Sequence, residues 1–125
     1  VLILAALASL GAVGIPLAVT NSVRQSQADY SAGQNSAALA ATRSALAVEP
    51  RAVSARIQEA LVLESAGQLR AAASAARIAT AAEPQNWQAW LVLSRIEAEA
   101  GEPLLAVTAY RDARALNPQS PIFRR

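Results

Sequence analysis

The sequence predicts an all-α protein, an N-terminal transmembrane helix followed by an α-solenoid of about three helix-turn-helix repeats. Three observations carry that expectation. Gly33, Gly67 and Gly101 stand 34 residues apart, and Pro50, Pro84 and Pro118 keep the same step, as do Ala38, Ala72, Ala106 and Ala45, Ala79, Ala113. A fixed period of this size, with helical sequence on both sides of a glycine, is the mark of stacked helical hairpins. Hydrophobic residues make up 54% of the chain but aromatics only 4%, and much of the apolar content is alanine. Alanine is the strongest helix former and lets helices approach closely, whereas the alternating β-branched runs of strands are nearly missing. Finally, Val1 to Thr20 contains no charged residue.

That first stretch, VLILAALASLGAVGIPLAVT, is read as the membrane helix. Twenty residues rising 1.5 Å each span about 30 Å, the thickness of a bilayer's hydrocarbon core. Pro16, Gly11 and Gly14 are tolerated in membrane helices better than in water-soluble ones. A cleaved signal's remnant or a buried core helix are the alternatives. The chain starts at Val1 and has no basic residue before the apolar run, as expected of a piece beginning inside a longer protein. With no proline or glycine between Asn21 and Gly33, the helix is expected to continue as a rod to about residue 32. Tyr30, Ala28 and Ala32 would then face the next helix.

Residues 21–120 form the expected repeat domain, in units of about 19–52, 53–86 and 87–120, and residues 121–125 form a tail. Gly33 ends the first helix, because glycine accommodates the left-handed cap. Asn35 or Ser36 is expected to cap the second. Ala38, Leu39, Thr42, Ala45 and Leu46 give that helix an apolar stripe, and Glu49-Pro50 stops it. Ala52 to Ser65 follows, with Val53, Ile57, Ala60, Leu61 and Leu63 as its apolar surface, and then Leu69 to Ala82. Asn86 caps WQAWLVLSRIEAEA, which Gly101 ends. Pro103 opens the last helix at its first position, where a missing N–H costs nothing. QSPIFRR is expected to be extended.

Several chemistries are excluded. Without Cys or His there is no thiolate nucleophile, Cys/His zinc site or Ser-His-Asp triad. Without lysine there is no Schiff base and no Walker-type phosphate loop. The net charge of +2 is spread along the chain, so no nucleic-acid partner is expected. Glu97, Glu99 and Glu102 read as decoration of a solvated helix end and not as a metal site. No catalytic residue, cofactor or metal is assigned.

The third unit resembles the tetratricopeptide repeat (TPR) family. Trp90, Leu93, Ser94, Gly101, Ala106, Tyr110, Ala113 and Pro118 match its W-x2-L-G…G…A-x3-F/Y-x2-A…P pattern. The resemblance implies that Trp90, Leu93 and Tyr110 fill the gap between paired helices while the alanines let backbones meet. The second unit keeps Gly67, Ala72, Ala79 and Pro84 but has Arg56 for Trp90 and Glu59 for Leu93. Arg56 and Glu59 are either a binding pair or solvated side chains pairing with neighbours such as Glu83. The family's usual mode implies a partner protein or peptide held in a groove built from the first helix of each pair. Here that surface is Ser54, Ile57, Leu61, Glu64, Gln88, Leu91, Arg95 and Glu99. Its carboxylate-gripping version needs lysines that this chain lacks. Trp87 either packs on the previous helix or anchors the groove rim. Leu105, Val107 and Leu116 are left exposed on the last helix, to be covered by Ile122-Phe123 or by another protein.

A narrower likeness joins the apolar helix with EALVLESAGQL, AARIATAAEPQNWQAWLVLSRIEAEAG and YRDARALNPQSPIF. Together they resemble the carboxy-terminal tail of bacterial O-antigen ligase-like membrane proteins. That implies a non-catalytic tail in the bacterial inner membrane, with lipid around Val1–Thr20 and the parent protein's own membrane body as a possible partner. The alternative is a free-standing membrane-anchored adaptor. The side of the membrane is not readable from Arg24 and Asp29.

Overall fold

The computed structural model describes residues 19–29 and 33–124. Among the described residues the chain is helical throughout: α1 (residues 19–29), α2 (Asn35–Val48), α3 (Val53–Ser65), α4 (Leu69–Ala82), α5 (Trp87–Glu99) and α6 (Pro103–Leu116), then a 3-10 turn at Pro121–Phe123. Within this range no helix is long and apolar enough to cross a membrane. The expected spanning segment lies outside the described residues apart from Val19 and Thr20.

The repeat is visible bond by bond. Gly33, Gly67 and Gly101 adopt φ of 76°, 76° and 81°, the left-handed conformation that closes a helix. The same long turn bond recurs at Gln34 N–H to Asp29 C=O (2.8 Å), Gln68 to Leu63 (2.9 Å) and Glu102 to Glu97 (2.9 Å). Between hairpins, Ala52 N–H bonds Glu49 C=O and Asn86 N–H bonds Glu83 C=O, both at 3.1 Å, ahead of α3 and α5. The glycine spacing therefore marks one bend used three times.

Alanine sets the packing distance. Ala38, Ala45, Ala72, Ala79 and Ala113 are fully buried and Ala106 nearly so. The main core joins Ala60, Leu63, Ala72, Ala73, Ala75, Ala76, Leu93, Ile96 and Ala109, with Leu39, Trp90 and Val92 against it. A second cluster sets Val19 and Val23 of α1 on Ala45, Leu46 and Ala55. Val19 thus serves the solenoid, although it falls within the stretch read as a membrane helix.

Four local expectations are corrected. The cap of α2 is Gln34, with no side-chain cap bond; Asn35 stands one residue inside, in register with Leu69 and Pro103. Ala28 is exposed and does not face α2; Tyr30 and Ala32 lie outside the described residues. The tail is a 3-10 turn and not extended, because Pro121 fixes a helical φ at its start. Glu97 is buried instead of solvated, since it faces Arg77 of α4.

Polar groups inside the array are bonded. Ser26 Oγ donates to Ala38 C=O at 2.8 Å and shares a 2.6 Å bond with Thr42 Oγ1. Ser94 Oγ repeats the first bond to Ala106 C=O, also at 2.8 Å. A buried hydroxyl without such a partner would cost about 1–3 kcal/mol.

Candidate binding groove

The first helices of successive hairpins, α3 and α5, touch one another, and each also packs on the second helix of the preceding unit. That closeness makes the side bearing α3 and α5 the inner side of the curve. Asn86 positions α5 by accepting hydrogen bonds from Gln88 N–H (3.2 Å) and Ala89 N–H (3.4 Å), as its residue type predicts.

None of the eight groove residues is buried. Ser54, Gln88, Arg95 and Glu99 are exposed; Ile57, Leu61, Glu64 and Leu91 are half-buried. Ile57 spends part of its surface on Val53, Ala79 and Ala89, so it is shared between groove and core. Three of the eight form one polar unit across the two helices. Arg95 donates Nε to Glu64 Oε1 at 2.8 Å and Nη2 to Glu64 Oε2 at 2.6 Å, a two-pronged grip. Glu99 lies one helical turn on, 4.0 Å from Arg95 Nε. Beside them a depression of about 390 Å³ opens between Leu91, Val92, Ser94, Ala98 and Tyr110.

The two carboxyls titrate apart. Burial pushes Glu64 up, but the hydrogen bonds from Arg95 and Glu99 and the charge of Arg95 together outweigh it and hold Glu64 below the usual carboxylate range. Glu99 is raised, chiefly because it hydrogen-bonds Glu64, with that neighbour's charge acting the same way. The groove therefore presents a fixed cation locked by one carboxylate, with a second carboxylate at the open end. It has no nucleophile–base pair, and among the described residues no cluster of acids could hold a metal ion.

Arg56 and Glu59 pair with each other at 3.0 Å and not with Glu83. Arg56 also donates Nη2 to Pro50 C=O at 3.4 Å, where one unit later Trp90 Nε1 donates to Pro84 C=O at 2.8 Å. Arginine is thus doing structural duty in a tryptophan's position. Trp90 is half-buried against the core. Trp87 packs on neither the rim nor the previous helix alone: its ring meets Phe123 edge-on at 5.9 Å. Tyr110 makes the same kind of contact with Phe123 at 5.3 Å and is otherwise on the surface, so it does not fill the gap within its hairpin. The aromatic clasp of the tail was not legible from spacing, although Phe123 is the chain's sole phenylalanine.

Repeated hairpins with nested neighbours define a helix-turn-helix solenoid. The sequence profile described as tetratricopeptide repeat matches residues 57–121, and the chain belongs to that family. Solved structures similar in fold include the TPR domain of Arabidopsis OM64, at 17% identity and a TM-score of 0.79, covering 86% of this chain and 88% of that one. MamA is similar at 19% identity and a TM-score of 0.75, covering 81% of this chain; the chain spans only 59% of MamA's length. A chain of the CopN-Scc3 complex is similar at 11% identity and a TM-score of 0.75, covering 84% of this chain and 62% of that one. No curated protein sequence matches the chain.

Proposed function

We propose that the chain is a membrane-tethered scaffold that holds a protein or peptide partner in the groove of α3 and α5, without catalysis of its own. The observation behind this is the joint presence of half-buried Leu61 and Leu91 and the Glu64–Arg95 pair on one open face. Apolar contacts supply affinity and the fixed charges supply register. The tether is the uncharged Val1–Thr20, and the likeness to O-antigen ligase-like tails favours a bacterial inner membrane and a glycan-ligase parent. The parent's own membrane body is then one candidate occupant of the groove.

Photocrosslinkers at Leu61, Gln88 and Leu91 in native membranes test the groove, with exposed Ser74 on α4 as control. Crosslinks concentrated at the three groove positions support the reading; equal labelling at Ser74 sinks it. Release of the chain by an alkaline wash would sink the tether alone. A gene without further apolar spans ahead of Val1 would sink the ligase parent and leave the adaptor reading.

A further inference from the structure

The repeat register allows each position on α6 to be compared with its counterpart on α4, which α5 covers. Ala73 and Ala76 of α4 are 3% and 1% exposed, while Val107 and Tyr110 in the same positions of α6 are 48% and 36% exposed. Leu104, at 82%, stands where α4 has Arg70. The open face of α6 is thus more apolar and bulkier than the face α5 already covers, the reverse of a polar terminal cap.

The chain starts to fill that seat and stops. Ser120 N–H bonds Asn117 C=O at 3.2 Å, the same turn that precedes α3 and α5. Phe123 then falls in register with Ala55 and Ala89 and is buried, its N–H bonding Ser120 C=O at 3.0 Å as Ala89 N–H bonds Asn86 C=O at 3.1 Å. Beyond that single turn, a depression of about 600 Å³ is bounded by Tyr110, Arg114 and Ile122.

The charges at the seat define the occupant. On α4, Arg77 reaches the buried carboxylate of Glu97 on α5. Arg111 holds Arg77's position on α6, is exposed, and has no carboxylate opposite it among the described residues. A second copy fits badly. Its α1, the helix equivalent to α5, would offer exposed Asn21 and Gln25 to an apolar face, and its α6 would set arginines against arginines.

We propose that the open face of α6 docks an amphipathic helix of a partner protein, lying where a seventh helix would lie. Its apolar stripe covers Val107 and Tyr110, and one of its carboxylates pairs with Arg111 as Glu97 pairs with Arg77. This surface is separate from the groove of α3 and α5.

The probe is a labelled synthetic peptide of residues 86–100 carrying Leu93→Ala and Ile96→Ala, which makes room for Val107 and Tyr110 while keeping Glu97. Titrated with the full chain, it should bind saturably. Arg111→Glu should weaken it about tenfold or more, and a peptide with Glu97→Arg should regain binding to that variant, the reciprocal pattern of a direct charge pair. Arg111 is on the surface, and an unchanged helical spectrum shows that the variant folds. Absence of saturable binding, indifference to Arg111→Glu, or a dimer in sedimentation that Tyr110→Glu abolishes would each overturn the proposal. Groove crosslinking at Leu61 is an independent readout, so either reading can fail without the other.

Discussion

Arg77 and Glu97 join α4 to α5 through a charged hydrogen bond in which the glutamate side chain is 3% exposed and the arginine 53%. Half of this pair is dry and half is wet. Arg77→Ala should cost about 2–3 kcal/mol, the low end for a broken buried pair, since water can still approach from the arginine's side. Glu97→Leu should be close to neutral, because Leu63 holds the same position one unit earlier and is buried there. Denaturant unfolding of both variants and of the double variant checks this. A glutamate-to-leucine cost above that of Arg77→Ala would mean that the pair itself is a net source of stability.

Gly67 has nothing within 4 Å of where a Cβ would sit, yet its φ is 76°. Gly67→Ala should therefore lose about 1–2 kcal/mol from backbone strain and not from crowding. Gly67→Asn should lose less, since asparagine tolerates the left-handed region. If alanine and asparagine melt together, strain at the bend is not what the glycine relieves.

Trp90 combines core contact with a hydrogen bond to Pro84 C=O at 2.8 Å. Trp90→Phe removes the bond while leaving an aromatic ring and should cost about 1 kcal/mol. Trp90→Ala should cost about 3 kcal/mol, at the low end for a large core residue because the ring is half-buried. Equal losses for the two variants would show that the bond, and not the packing, carries the residue.

Glu64 is held below, and Glu99 above, the usual carboxylate range. The lowered Glu64 adds stability that is present above its unfolded pKa and is lost as pH falls through its folded one. The raised Glu99 acts the other way: its contribution is present at acid pH and is lost as pH rises through its folded value. Glu99→Gln keeps a hydrogen-bond partner for Glu64 and removes that loss. It should melt at or above wild type at pH 7, with the difference vanishing where Glu99 is protonated anyway. A lower melting temperature at pH 7 would contradict the assignment.

Much of the fold was legible because its punctuation is sparse and regular. Three glycines and three prolines at one interval gave the bends, and the alanines in step with them gave the close contacts. Glu97 was misread because it sits near Glu99 and Glu102 in sequence, while its partner Arg77 lies 20 residues back on another helix. A signal existed in Leu63, one period earlier, which marks the position as interior. The groove's polar unit was half legible: the residues were named, but the Glu64–Arg95 bond spans 31 residues and depends on two helices lying side by side. The burial of Phe123 had a similar clue, since counting 34 back reaches Ala89 and counting 34 more reaches Ala55.

The alanine ladder has a mechanical consequence. Where two rods touch through methyl groups alone, no long side chain interlocks to fix their angle, and small sliding costs little dispersion energy. Such an array can flex along its length as a leaf spring does, opening or tightening its inner curve while every bend keeps its shape. Enlarging one rung, for instance Ala79→Val, would wedge two rods apart and alter the curvature felt by every rod beyond it.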